Sequence, residues 1–304
     1  MQGRERGGYD RYDRDRGGFG GGFDDLDGQR DSYGRDPDHE PVYGRYDGDH
    51  IFGIQPVRAA LKAGRRQLEE LIIQEGAVPA NKKDEGTSDE IAAMALQLGL
   101  AVREFPKHDL NMLSGSRPHQ GFVLRATPLD VEVVNGGLAA PAPGDRGVVL
   151  ALDEVTDPMN LGALLRTAHF LGIDQVVLCA KNSAPLSPTV SKASAGAMEL
   201  TRITTTSNMM RFLDGSRENG WHVVGTSLGE GTVDVGEASF DGPTVLVLGN
   251  EGHGIRTNVL MRCDTTVKLA GGQAGDIDSL NVSVTGGILL HHILAAKGAG
   301  AKAP

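Results

Sequence analysis

The chain has 304 residues, of which 39% are hydrophobic and 23% charged, so it is long enough for one large or two medium-sized folded domains. Its two cysteines, Cys179 and Cys263, exclude a disulfide-stabilised scaffold and indicate a reducing compartment. The net charge of -10 repels phosphate, so a nucleic-acid partner requires a local basic surface; no apolar stretch approaches the length of a membrane span.

The first 49 residues differ in composition from the rest of the chain. They combine Gly, Asp, Arg and all five tyrosines with few aliphatic side chains, so they cannot bury enough apolar surface to fold. We predict a disordered tail over residues 1–49. Two Arg-Gly-Gly triplets, at Arg6 and Arg16, are typical of RNA-binding tails, although the many aspartates favour a solvated linker. The tail lacks a secretion signal and is too acidic for a typical mitochondrial transit peptide.

Residues 50–126 are predicted to form a small α/β domain, called the small domain below. The predicted helices begin at Pro56 and at an N-cap, Ser88, and the predicted strands are Leu68–Gln74, Ala101–Phe105 and Gly121–Arg125. If the first helix continues beyond Lys62, four cations share one of its faces. This candidate RNA-binding stripe consists of Arg58, Lys62, Arg65 and Arg66; a solvated helix face is the alternative.

Residues 127–146 are rich in Gly, Pro and Ala, which predicts a linker. Residues 147–297, called the large domain below, alternate apolar strands with helices, a pattern typical of a parallel sheet covered on both faces. The predicted elements are strands Val148–Leu152, Gln175–Leu178, Trp221–Thr226 and Thr244–Leu248, and helices Leu161–Leu171 and Leu280–Ala296. Ligand sites in such sheets lie at the carboxyl ends of the strands. Residues 298–304 are predicted to be flexible.

Two segments of the large domain carry polar residues at predicted strand and helix ends. Asp157–Arg166 contains Asn160, predicted to cap a helix, and Arg166, predicted to be buried among apolar residues and therefore paired. Gly249–Gly254 places Glu251 among three glycines after a buried strand, where a ligand can approach the backbone closely. A structural ion pair and a plain glycine turn are the alternatives.

A third segment, Asp278–Val284, begins the last predicted helix. It carries polar residues, with Ser279 as the candidate helix cap and Asn281 inside the first turn, which indicates ligand contacts, a tight interface or capping alone. No metal site is predicted, because His291 and His292 point to different helix faces and the cysteines lack metal-ligand spacing.

Taken together, these segments resemble the SpoU (TrmH-type) family of RNA ribose 2′-O-methyltransferases. The family's three motifs match, in order, Asn160–Arg166, Leu248–Gly252 and Ser279–Val284. Residues 51–126, including His119-Gln120-Gly121, are similar to the family's RNA-binding domain. Thr167–Gly172 and Ser191–Gly196 resemble mitochondrial large-subunit rRNA methyltransferases, which modify a guanosine.

The resemblance implies S-adenosylmethionine-dependent methylation of an RNA ribose, a C-terminal trefoil knot in the parallel-sheet domain and a homodimer. It implies a mitochondrial location, with the cytoplasm as the alternative. The catalytic residues that it assigns are Arg166, Asn160, Glu251 and Asn281. The cofactor-binding residues that it assigns are Thr226, Leu248, Gly249, Leu269, Ser279 and Leu280. Ala270 stands where the family usually has proline, and the loop Ala270–Asp278 is longer than usual.

A ribose hydroxyl is a weak acid, so its methylation needs a base or a group that stabilises developing charge. Arginine is a poor base because its pKa exceeds ~12. We therefore expect Arg166 to orient a phosphate or stabilise the nascent alkoxide. Two other functions stay open: a catalytically silent RNA-binding ribosome-assembly factor and a tRNA 2′-O-methyltransferase. A dinucleotide-dependent dehydrogenase is disfavoured, because no glycine-rich loop follows Val148–Leu152.

Overall fold

The computed structural model describes residues 48–76, 82–271 and 279–298. The predicted tail, apart from its last two residues, lies outside these ranges, as do most of the predicted loop Ala270–Asp278 and residues 299–304. All described residues belong to one compact unit. Within the described ranges, no helix is both long and apolar enough to cross a membrane.

The small domain consists, in its described part, of a four-stranded sheet and three helices. The strands are β1 (Asp49–Phe52), β2 (Leu68–Gln74), β3 (Ala101–Phe105) and β4 (Phe122–Ala126), and the helices are α1 (Ile54–Ala63), α2 (Lys82–Gln97) and α3 (Lys107–Leu113). In the order β1-β4-β2-β3, β4 is antiparallel to both neighbours and β2 is parallel to β3. Leu71 and Leu124 of the sheet pack in one buried cluster with Val57 of α1 and Ile91 of α2.

The large domain is built on a parallel sheet in the order β10-β12-β9-β11-β6-β7-β8-β5. Its strands are β5 (Glu132–Val133), β6 (Val148–Leu152), β7 (Gln175–Cys179), β8 (Ile203–Thr206), β9 (His222–Thr226), β10 (Val233–Asp234), β11 (Thr244–Leu248) and β12 (Thr265–Lys268). Its helices are α4 (Pro158–Leu171), α5 (Pro188–Ala193), α6 (Ala197–Leu200), α7 (Met209–Glu218), α8 (Thr257–Leu260) and α9 (Val282–Ala296).

The parallel sheet is buried on both faces, as its apolar strands predict. In β6, Leu150 and Leu152 pack in the cluster that also contains α4 and α9, whereas Val149 and Ala151 pack in the cluster on the opposite face. Successive side chains of a strand point to opposite faces, so a continuous apolar run is what two covered faces require. The predicted parallel sheet is thereby confirmed.

Helix ends depart more from the prediction than strand ends. α1 stops at Ala63, because Gly64 adopts a left-handed conformation (φ 60°) and its N–H donates to Ala60. The helix therefore does not continue through Arg65 and Arg66, and this expectation is wrong. Ser88 lies inside α2 rather than at its N-cap, so that prediction is wrong too.

The predicted linker, residues 127–146, is partly built into the large domain. It contributes β5, which pairs with β8 in register Glu132 with Thr204. The N–H of Leu138 donates to Ser216 Oγ at 3.0 Å, and the indole N–H of Trp221 donates to the carbonyl of Ala139 at 2.8 Å. A free linker is therefore the wrong description of this segment.

Candidate active site

The three polar segments converge at the carboxyl edge of the parallel sheet. β6 and β11 are hydrogen-bonded neighbours, so the loops that follow them leave the sheet side by side. α9 packs closely on α4 and β11 at Gly286, where a Cβ would lie 2.5 Å from Leu164 and 2.7 Å from Leu248. The missing side chain allows the third segment to approach the other two.

The first turns of α4 and α9 are capped by residues other than those predicted. Asp157 caps α4 by accepting from the N–H of Met159 at 2.8 Å, so Asn160 is not the cap. Asn281, rather than Ser279, caps α9. Because Asp157 takes the capping role, the amide of Asn160 is available for contacts with the other segments.

A directed chain of hydrogen bonds joins the three segments. Asn281 donates through Nδ2 to Asn160 Oδ1 at 3.0 Å, and Asn160 donates through Nδ2 to Glu251 Oε1 at 3.0 Å. The carboxylate of Glu251 also accepts from the N–H groups of Thr156 and Asp157, at 3.4 and 3.3 Å. One residue from each motif therefore meets at a single point.

Glu251 is ionised at neutral pH, although it is partly desolvated. Burial alone would raise the pKa of Glu251, but hydrogen bonds from Asn160 and from backbone N–H groups, including those of Thr156 and Asp157, outweigh it and lower the pKa. A carboxylate held by backbone donors is stabilised in its charged form. Glu251 therefore acts as a fixed hydrogen-bond acceptor.

This negative charge sets the orientation of both amides. An ionised carboxylate only accepts, so Asn160 must turn its NH₂ group toward Glu251 and its carbonyl oxygen toward Asn281. Asn281 then presents its own oxygen to the N–H of Ser283, at 2.9 Å, and so caps α9. The charge of the second motif thereby determines how the helix of the third motif begins.

Arg166 lies outside this chain of hydrogen bonds. It follows Asn160 by about 9 Å of helix rise along α4. Its side chain is exposed, and it has no hydrogen bond or ion pair to other described residues, so the expected burial is wrong and the alternative of a structural ion pair is contradicted. It lines a surface cavity of about 660 Å³ together with Phe170, Ser194, Gly287 and His291.

The glycines after β11 have a different role from the one expected. A Cβ on Gly249 would overlap the backbone of Gly254, because Asn250 and Gly254 exchange backbone hydrogen bonds at 3.0 and 2.9 Å. Gly249 thus makes room for the protein's own turn, not for a ligand at that point. The turn closes with Asn250 donating to the carbonyl of Glu154 at 2.9 Å, which ties it to the loop after β6.

The cofactor candidates occupy the carboxyl edge near the polar chain. Thr226 ends β9, which pairs with both β11 and β12; Leu269 follows β12 and packs on the main core. The side chain of Leu248 is buried in that core, so only its backbone can contact a ligand. Leu280 is 52% exposed beside Asn281. Ser279 also precedes α9, and the adjoining residues 272–278 lie outside the described ranges.

The predicted RNA-binding stripe is contradicted by its surroundings. Arg66 is fully buried and pairs with Glu199 at 2.8 Å and with Asp49 at 2.7 Å, so it cannot reach a phosphate. Arg65 donates to backbone carbonyls of residues 199 and 201. The sequence could not reveal the acceptors at residues 199 and 201, since they lie in the other domain.

The two remaining members of the stripe are neutralised. Arg58 and Lys62 both contact Glu90 at 2.7 Å. Hydrogen bonds from Arg58 and Lys62 lower the pKa of Glu90 to about 2, so the carboxylate stays charged. The stripe carries less free positive charge than its sequence indicates.

Sequence reasoning missed an ion cluster beneath the site. Arg256 contacts Asp153 at 2.5 Å and Glu154 at 2.8 Å, and hydrogen bonding to Asp153 raises the pKa of Arg256. The signal was present, because two consecutive acids directly after buried β6 are costly without a partner. The described residues contain no group of His, Cys, Asp and Glu that could hold a metal ion.

Two family models match this chain. Residues 147–291 match the SpoU rRNA methylase family, and residues 50–131 match the RNA 2′-O ribose methyltransferase substrate-binding family. The chain belongs to the SpoU rRNA methylase family. The two matched regions correspond to the large domain and the small domain.

Curated relatives cover most of the chain. It is 39% identical to rRNA methyltransferase 1, mitochondrial, of Dictyostelium discoideum over 68% of this chain and 44% of that protein, and 35% identical to the human protein of that name over 81% and 72%. The chain thus spans less than half of the Dictyostelium relative. It is 32% identical to the 23S rRNA (guanosine-2′-O-)-methyltransferase RlmB of Vibrio cholerae over 79% of this chain and 94% of that protein.

Solved structures share the fold. A crystal structure of an RNA 2′-O ribose methyltransferase superposes with a TM-score of 0.66 at 25% identity, covering 82% of this chain and 88% of the other. The AdoMet-bound rRNA methyltransferase of Sinorhizobium meliloti superposes with a TM-score of 0.64 at 24% identity, covering 81% and 87%. The fold of this chain is therefore shared with these two methyltransferase structures.

Proposed function

We propose that this protein transfers a methyl group from S-adenosylmethionine to the ribose 2′-hydroxyl of a guanosine in mitochondrial large-subunit ribosomal RNA. The hydrogen-bond chain through Asn281, Asn160 and Glu251 carries the proposal, because it unites the family's three motifs in one site. The names of the Dictyostelium and human relatives support an rRNA substrate and a mitochondrial location, and that of the Vibrio relative supports guanosine.

The carboxyl edge of the large sheet fits the cofactor. It combines the polar and apolar surfaces that a nucleoside needs. The polar groups are the hydroxyls of Thr226 and Ser279 and the backbone of residues 248–249, and the apolar groups are the side chains of Leu269 and Leu280. We assign cofactor binding to these residues. Bound there, S-adenosylmethionine would supply an electrophilic methyl group attached to a positively charged sulfur.

The protein's own side chains divide the remaining work. Glu251, ionised and held by backbone donors, fixes Asn160 and Asn281, and this polar surface positions the ribose. Arg166 is exposed at the neighbouring cavity, where its guanidinium stabilises negative charge on a phosphate or on the hydroxyl oxygen as the hydroxyl loses its proton to water. Holding the hydroxyl in line with the methyl group contributes much of the acceleration.

Replacement of Arg166 separates the enzyme from a catalytically silent RNA-binding factor. Arg166→Ala should abolish transfer of tritium-labelled methyl groups to rRNA while S-adenosylmethionine affinity, measured by calorimetry, stays within about threefold. Near-normal turnover by the folded variant would contradict the role of Arg166. A wild-type protein that binds RNA but not the cofactor would support the silent factor.

The substrate is identified by mapping ribose methylation in cells with and without the protein. Loss of one 2′-O-methylguanosine from mitochondrial large-subunit rRNA is expected. Loss of a methyl group from a tRNA instead would favour the tRNA methyltransferase, and loss from cytoplasmic rRNA would refute the mitochondrial location.

We also propose a homodimer and a trefoil knot. Val284 and Ile288 of α9 are 49% and 44% exposed, and Phe170 of α4 is 86% exposed, which leaves apolar side chains for a second copy to cover. The proposed knot is supported by the match of residues 147–291 to the SpoU rRNA methylase family and by the packing of α9 on α4 and β11 at Gly286. Light scattering at micromolar concentration should give twice the monomer mass; a monomer would refute the dimer.

A further inference from the structure

The junction between the small and large domains carries cations that pair with no carboxylate among the described residues. Arg117 of the small domain donates to Thr189 Oγ1 of α5, and Lys192 of α5 donates to Gln120 Oε1 of the small domain at 2.6 Å. Lys107, at the start of α3, lies near the loop that contains Arg117, His119 and Gln120. Within the described residues, none of these three cations forms an ion pair.

The loop that presents Arg117 and Gln120 is held rigidly. His119 is buried, with Nδ1 accepting from the N–H of Gly121 at 3.1 Å and Nε2 facing Asn111 Oδ1 at 3.1 Å. A neutral imidazole satisfies both contacts, with one ring nitrogen accepting a hydrogen bond and the other donating one. Burial first, and then the positive charges of Lys107 and Lys192, lower the pKa of His119. Those two charges are thus close enough to act on one buried ring.

Lys192 is placed between the two domains by close packing. A Cβ on Gly53, at the start of α1, would overlap the amine of Lys192, so the absence of a side chain there makes room for the lysine. The amine has three N–H donors and, in the described part of the chain, uses one of them on Gln120. Ser194 and Ala195, which follow at once, line the cavity of Arg166. The cations therefore lead from the small domain toward the proposed catalytic arginine.

We propose that Lys107, Arg117 and Lys192 form a phosphate-binding patch for the RNA backbone at the domain junction. The inference rests on the proposed function. The patch takes the place of the predicted stripe of Arg58, Lys62, Arg65 and Arg66 as the surface that attracts RNA electrostatically. Half-burying a lysine costs free energy unless an anion completes the site, and burial lowers the pKa of Lys192. RNA phosphates next to the nucleotide at Arg166 are anions of the right chemistry, and both domains would contact them.

The test compares two double variants that remove the same charge. Lys107→Gln/Lys192→Gln removes two patch charges and retains an N–H donor toward Gln120, whereas Arg58→Gln/Lys62→Gln removes two charges that Glu90 already neutralises. Binding of a fluorescein-labelled single-stranded RNA of about 20 nucleotides is followed by anisotropy as KCl rises from about 50 to 300 mM. Thermal unfolding and S-adenosylmethionine calorimetry verify that each variant is folded.

In the patch variant, the slope of the logarithm of the binding constant against the logarithm of the KCl concentration should become shallower by about 1.4. Each phosphate contact on a single strand contributes roughly 0.7 to this slope. The α1 variant should flatten it by less than about half that amount. Equal effects of the two variants, or an unchanged slope in a folded patch variant, would overturn the proposal. A wild-type protein that shows this salt dependence but neither binds S-adenosylmethionine nor methylates RNA would refute the proposed function and leave the patch standing.

Discussion

Replacing Asn160 by alanine should uncouple the three motif segments. The change removes the bond to Glu251 and the bond from Asn281, both 3.0 Å long. A neutral hydrogen bond contributes about 1 kcal/mol, and the bond to the partly exposed carboxylate belongs at the low end of the charged range, about 1.5 kcal/mol. Asn160→Ala should therefore lower the free energy of unfolding by about 2.5 kcal/mol, roughly a 70-fold change in the equilibrium constant.

The effect on catalysis should exceed the effect on stability. Without the amide, α9 loses the contact that orients Asn281, and a displacement of about 1 Å can reduce the rate 100-fold. Urea denaturation followed by circular dichroism gives the stability, and tritium transfer to rRNA gives the rate. Asn208→Ala is the matched control, because Asn208 caps α7 through the N–H of Arg211 at 3.1 Å and has no bond to the site. It should cost about 1 kcal/mol and leave turnover unchanged.

A double-mutant cycle tests the bond between Asn160 and Asn281 directly. Both single changes, Asn160→Ala and Asn281→Ala, remove the same bond. The stability loss of the double variant should therefore be about 1 kcal/mol smaller than the sum of the two single losses. Additive losses within about 0.3 kcal/mol would show that the bond contributes nothing. Normal turnover of Asn160→Ala would refute the reasoning altogether.

Three further changes test other contacts. Gly286→Leu should lower the free energy of unfolding by about 1–3 kcal/mol, since even its Cβ would lie 2.5 Å from a leucine of α4; Gly287→Ala, with its nearest neighbour 3.7 Å away, should be neutral or stabilising in the same urea titration. Arg66→Met should lower the free energy of unfolding, measured by thermal unfolding, by about 3–5 kcal/mol, because it leaves the buried carboxylate of Glu199 without its ion pair. Arg58→Met, at a partly exposed pair, should lower it by less than about 1 kcal/mol. Equal losses would contradict the contrast in burial. Burial, and then a neighbouring aspartate, raise the pKa of Cys263 to about 12, so iodoacetamide at about pH 8 should modify it in urea but hardly in the native protein.

The buried strands could be predicted from the sequence because their signal is local. Val148–Leu152 and Thr244–Leu248 match the structure at both ends, since runs of five and four consecutive apolar residues bounded by polar residues or glycine leave few alternatives. Helix starts were predicted less well. Asp157 and Asn160 are both good N-cap residues, and Pro158, which favours the first helical position, was the signal that decides for Asp157.

The environment of individual charges could not be predicted from local sequence. Arg66 and Arg58 look equivalent in a helical pattern, yet one is fully buried against Glu199 and the other is part of a surface pair. Glu199 is separated from Arg66 by most of both domains, so no window of sequence contains the pair. Arg166 shows the opposite error: its apolar neighbours predicted burial, but the helix turns the guanidinium outward into the cavity.

The Arg66–Glu199 pair also connects recognition with catalysis. Glu199 belongs to α6, accepts from Ser191 Oγ at 2.8 Å, and lies in the same short segment as Lys192 and the residues that line the cavity of Arg166. Docking of the small domain through Arg66 therefore holds the cavity wall and the phosphate patch in one arrangement. Weakening this pair should raise the KM for RNA more than it changes cofactor affinity, because the proposed cofactor residues lie at the ends of β9, β11 and β12 and just before α9, and none of them belongs to α5 or α6. Equal losses for RNA and S-adenosylmethionine would indicate general unfolding instead of misplaced domains.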